Sequence, residues 1–204
     1  MSIGDLQKFL SSKSHKFRCK SPDDEVQADF SCSVFHRVTP RLSESDIDVV
    51  KGVVNLSAEH IEWLRQYGSL ELFCDTKSDA SAYYIAHPSQ WPELQVELFS
   101  WFESLTDSDA EEFIPDWVGE AIVVGEKTTS GNYYLLRTDE KDQSKVYEFE
   151  RDGFEFIEVA DSFTALIQKL ITVNDELLTD IGSHTRFSDG LTDTQWIPVE
   201  FLKG

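Results

Sequence analysis

AIVVGEKTTSGNYYLLRTDEKDQSKVYEFERDGFEFIEV, residues 121–159, decides the fold. Ala121–Gly125, Tyr133–Leu136, Lys145–Phe149 and Phe154–Val159 are rich in β-branched and aromatic residues, the composition of strands. Ser130-Gly131-Asn132 and Arg151-Asp152-Gly153 supply the glycine and short polar side chains of tight turns. The intervening segments are too short for crossover helices, and strands joined so briefly pair antiparallel. The stretch predicts a strand meander.

Downstream, Ser162 caps a helix through Phe163, Leu166, Ile167, Leu170 and Ile171. Upstream, Leu94, Leu98, Phe99 and Phe102, with Trp101 beside them, define another helix. That helix is expected to dissolve into a loop, Thr106–Glu112, whose carboxylates crowd too densely for a core-facing element. Ala82–Ala86 reads as a buried strand ended by His87-Pro88, and Leu70–Phe73 precedes it. Ser57 opens a helix with the stripe Ile61, Leu64 and Tyr67 that stops at Gly68. Ser43 or Ser45 caps an earlier one on Ile47, Val50, Val53 and Val54. Nearer the start lie a turn-like Ser21-Pro22-Asp23-Asp24 and a weakly alternating strand, Asp29–Phe35. The tail from about Gly182 reads as loop, with Trp196–Val199 docked as an extended piece, since free tails rarely keep such large apolar residues. The expected organisation is an N-terminal extension, 1–40; an α+β domain of mostly antiparallel sheet with packed helices, 41–181; and a docked tail, 182–204.

The 204 residues carry 18 Lys and Arg against 38 Asp and Glu, a net charge of -20. Residues 1–40 hold six basic and five acidic side chains, so the whole excess belongs to the rest. Such a surface repels nucleic acid and anionic membranes and favours a basic partner. No apolar run approaches the roughly 18 residues of a spanning helix, and the first residues lack the apolar core of a signal peptide. A cytoplasmic protein with reduced Cys19, Cys32 and Cys74 is expected.

LSAEHIEWLRQYGSLELF, YYIAHPSQWPE, FIPDWVGEAIVVGE leading into GNYYLL, and KVYEFERDGFEFIEVADSFTALIQKLI follow one another between about Leu56 and Ile171. Their order resembles the SMI1/KNR4 (SUKH) superfamily. The resemblance implies a curved antiparallel sheet with helices packed against it. In bacteria it implies an immunity protein that neutralises a toxin, often a nuclease; in fungal relatives it implies a regulatory interaction protein, and both readings stay open here. Two departures mark this chain: Gly131-Asn132 stands where the family often shows Gly-Asp, and the first 40 residues have no counterpart.

His15, Cys19, Cys32 and His36 have symmetric spacing that superficially suits zinc, but no standard finger begins His-x3-Cys, and a structural reading is preferred. Glu111, Glu112, Asp116, Glu120 and Glu126 lie close enough in sequence for paired acid/base work, yet clusters arise freely in so acidic a chain. No nucleophile elbow, phosphate loop or His-Glu-x-x-His string is present. The expectation is a non-enzyme without metal or cofactor. The partner-binding candidates are Asp107, Asp109, Glu111, Glu112 and Asp116 on one loop, Asp139, Glu140 and Asp142 on a hairpin turn, and Trp117 as an apolar anchor, with Trp91 a second such Trp. Rigidly arrayed carboxylates there would occupy the phosphate cleft of a basic toxin domain.

Overall fold

The computed structural model describes residues 6, 9, 10, 15–21, 30–139 and 144–202. Of the expected features, Pro22–Asp24 of the early turn, Asp29, Glu140 and Asp142 lie outside them. The described elements begin with strands β1 (His15–Lys20) and β2 (Phe30–Val38), helices α1 (Glu44–Val53) and α2 (Ala58–Leu64), and strands β3 (Leu70–Asp75) and β4 (Tyr83–Ile85). Helices α3 (Trp91–Ser100) and α4 (Asp107–Phe113) precede the meander β5 (Ile122–Lys127), β6 (Asn132–Leu136), β7 (Val146–Glu150) and β8 (Glu155–Ala160). Then come α5 (Phe163–Ile171), α6 (Asp175–His184), β9 (Phe187–Ser188) and β10 (Gln195–Leu202). This is the expected α+β class, with helices packed on antiparallel sheet. None of the described helices is long and apolar enough to cross a membrane.

The chain divides into two compact units: residues 1–38, 70–84 and 170–204, and residues 39–69 and 85–169. In the second, β5, β6, β7 and β8 pair antiparallel in sequence order. Every residue of β6 is buried, so it forms the middle of the layer, with α3 packed on β5. The Val123 amide donates to the Gln95 side chain at 3.2 Å, tying that helix to that strand. Gly131 sits at φ +77°, where a side chain would be strained, and turns the chain from β5 into β6.

Asn132, at the departure from the family's Gly-Asp, has a specific task. Its Nδ2 donates to Glu148 Oε1 at 2.9 Å while its Oδ1 accepts from the Arg151 amide at 3.2 Å. Lys127 Nζ meets the same Glu148 oxygen at 2.7 Å, with both side chains only 11–12% exposed. An aspartate would set a second carboxylate against Glu148 with no proton to donate. Asn132→Asp is therefore expected to cost about 2 kcal/mol at pH 7, the range for an unsatisfied buried polar group, read as a lower urea midpoint.

Caps place the helices as the sequence predicts. Ser43, of the two candidate serines, closes a capping box with Asp46, and Ser57 accepts from the His60 amide. The α1 stripe departs from expectation, because Ile47 alone is fully buried while Val53 is 81% exposed. Helical spacing puts these residues on one face but does not say that a neighbour covers it. The acidic run departs too: Thr106 caps Asp107–Phe113 as a helix, and Asp107 and Asp109 complement its N-terminus. As expected, it contributes no buried residue.

In the first unit, β3, β2, β1, β10 and β9 pair antiparallel in that order around Phe17, Val34, Leu72, Phe73 and Phe187. The tail keeps loop at 185–186 and 189–194 and an extended Trp196–Val199, as expected, but adds regular structure on either side. A helix capped by Asn174 runs to His184 and packs on β10, whose Trp196 is buried as anticipated. The pairing with β1, unseen in the sequence, is what makes residues 195–202 a regular strand.

Candidate functional site

The candidate acidic residues fall into three environments. On α4, Asp107, Glu111 and Glu112 are exposed, while Asp109 folds back to accept from the Thr106 hydroxyl at 2.7 Å. Asp116 is exposed at the start of a 3-10 turn, Asp116–Glu120. No described Lys or Arg forms an ion pair with Asp107, Glu111, Glu112 or Asp116. Beneath α4 lies an aromatic cluster in which Phe113, 45% exposed, meets Phe154 at 6.2 Å and Phe154 meets Phe149 at 5.1 Å.

Trp117 and Asp139, distant in sequence, meet through a residue that sequence reasoning passed over. Arg137 lies 5.1 Å over the Trp117 ring and grips Asp139 through two hydrogen bonds of 2.7 and 2.6 Å. The opposite ring edge packs on Tyr147, 4.5 Å away. Trp117 is half-buried and Asp139 already shares its charge with a guanidinium, an interior arrangement more than a waiting anchor.

Trp91 leads to the feature the sequence concealed. It is 6% exposed, stands edge-on to His60, and lines an open groove of about 670 Å³. One wall is α1, through Val49, Val50, Val53 and Val54; the other is α3, through Trp91, Pro92, Gln95 and Phe99. Ala121 and Ile122 also line it, and at one point the Asn55 side chain donates to the Thr138 carbonyl at 3.4 Å. Among the described residues Asp46 and Glu120 are its acidic lining, His87 also lines it, and no Lys or Arg does. Val49 and Val53, one turn apart on α1, are 69% and 81% exposed.

The remaining chemical candidates do not assemble. His15 and His36 meet edge-on 5.2 Å apart, whereas Cys19 and Cys32 lie elsewhere on β1 and β2, with Phe17 opposite Cys32. The Cys32 thiol donates to Asp75 at 2.9 Å, and burial followed by that carboxylate pushes its pKa up. Among the described residues no group of three or more His, Cys, Asp or Glu is placed to hold a metal ion. Glu126 has its pKa raised by burial and then by Glu97, which accepts from the Tyr133 hydroxyl at 3.4 Å. Glu120 instead lines the groove, so the run 111–126 is not one carboxylate pair but several separate surroundings.

An antiparallel meander backed by helices, with capped amphipathic helices ahead of it and an apolar groove between two of them, defines an α+β domain with an open, acidic-rimmed face. The family model of the SMI1 / KNR4 family (SUKH-1) matches residues 42–169, more than half of the chain, and the chain belongs to that family. No curated protein and no solved structure matches it.

Proposed function

We propose that this protein is a non-catalytic, cytoplasmic immunity protein that binds and neutralises a basic toxin domain. The observation that carries the reading is the set of exposed carboxylates at Asp107, Glu111, Glu112 and Asp116, unpaired by any described cation. Family membership supports it, since bacterial members of the superfamily are most commonly immunity proteins. A toxin that acts on nucleic acid must present Lys and Arg to phosphate, and a fixed acidic surface both steers encounter and fills that cleft.

Co-expression with a toxin encoded beside this chain tests the reading. Growth rescue and co-purification are expected, and failure of both would end it. Replacing Glu111, Glu112 and Asp116 together by Lys is expected to slow association roughly tenfold or more at low salt, with a smaller effect at high salt. An unchanged on-rate in stopped-flow mixing would move the interface away from α4.

A further inference from the structure

The groove between α1 and α3 has chemistry that the acidic helix lacks. Its walls are two apolar rows at helical spacing, and Val49 and Val53 project from a helix that commits only Ile47 fully to the core. Exposure of 69% and 81% on valines one turn apart is surface that a partner can still bury. The lining surface is mainly apolar, with Asn55, His87, Ser89, Gln95 and Thr138 as further polar residues, and a helix that satisfies its own main chain presents the matching apolar face. Both charged lining residues, Asp46 and Glu120, are carboxylates without an ion pair among the described residues. That rim disfavours a fatty acid or another anionic amphiphile and favours Lys or Arg beside the apolar anchors.

We propose that this groove seats a basic amphipathic helix of the protein partner, its apolar residues against Val49, Val53 and Phe99 and its cations on Asp46 and Glu120. The proposal rests on the reading that the chain acts by binding another protein, and adds where and by what chemistry. The recognition follows the helix-in-groove mode, with anchors at i, i+3, i+4 and i+7.

The probe is a fluorescent leucine–lysine peptide patterned as an amphipathic helix, about 16 residues so that it folds once docked. Anisotropy titration with the full chain is expected to show saturable binding. Val49→Arg with Val53→Arg is expected to weaken it at least tenfold with unchanged far-UV circular dichroism, because both side chains are exposed and contribute little to the core. Glu120→Lys is expected to weaken it several-fold, and the Lys triple on α4 to leave it intact. Absence of binding, or loss caused by the α4 triple but not by the valine pair, overturns the groove. Equal affinity for a leucine–glutamate peptide, or displacement by oleate at lower concentration than the peptide, overturns its chemistry. Peptide binding without rescue in co-expression upholds the groove and removes the immunity role; rescue without peptide binding does the reverse.

Discussion

Lowering the pH from 7 to 5 is expected to cost the folded state about 4 kcal/mol, from two histidines that fold in the neutral form. His60 is 1% exposed, stacks on Phe163 at 4.1 Å, and has no hydrogen-bond partner on Nδ1 among the described residues; burial depresses its pKa to about 3. His36 accepts from the Phe73 amide through Nδ1; burial, and then neighbouring His15, lower its pKa to about 3. In the unfolded chain both titrate near their ordinary 6.5. Between these values the unfolded chain binds more protons. The stability that depends on neutral imidazoles is therefore whole above pH 6.5 and falls by about 1.4 kcal/mol per pH unit for each histidine until pH nears 3. Urea midpoints at pH 7, 6 and 5 check this. A flat profile would contradict it, and His60→Phe, which keeps the ring stack without a titrating group, is expected to halve the loss at pH 5.

Replacing Asp75 by alanine is expected to destabilise the first unit by about 3–5 kcal/mol, the scale for breaking a buried hydrogen-bond network. Asp75 is fully buried at the end of β3. It accepts from the Cys32 thiol at 2.9 Å, the Ser78 amide at 2.9 Å, the Ser78 hydroxyl at 2.7 Å and the Ser188 amide at 3.1 Å. Burial works to raise its pKa, but these donors outweigh it and the carboxyl is held below its usual value. One side chain thus joins β2, the turn after β3, and β9. Alanine leaves the buried Cys32 thiol with only the Ser33 carbonyl at 3.8 Å and the half-buried Ser188 amide without this acceptor, while the exposed Ser78 donors turn to water. A thermal midpoint lower by roughly 6–20 °C is expected for a chain of this size. Asp75→Asn, retaining one carbonyl acceptor, is expected to lose less, and equal losses from both would show that acceptor number does not matter here.

The meander was legible because its signals are local: period-two strands, glycine turns and connections too short for a crossover. The serine caps were legible for the same reason. The acidic run departs from the expected loop because solvation does not exclude a helix: Thr106 and its first-turn aspartates favour one that needs no buried face. The groove was invisible because its walls are far apart in sequence, and the valine stripe on α1 carries no mark of whether another element covers it. Arg137 was missed because a cation in an acidic chain attracts notice only once Trp117 and Asp139 lie on either side of it.

The pairing of β1 with β10 has a consequence for biosynthesis. Lys16 lies opposite Leu202 and Lys20 opposite Ile197, so the two strands leave the ribosome about 180 residues apart. At roughly 5–20 residues per second, β1 waits some 10–40 seconds for its neighbour. During that interval one of its edges is open to any passing chain, and only the arrival of residues 195–202 closes it.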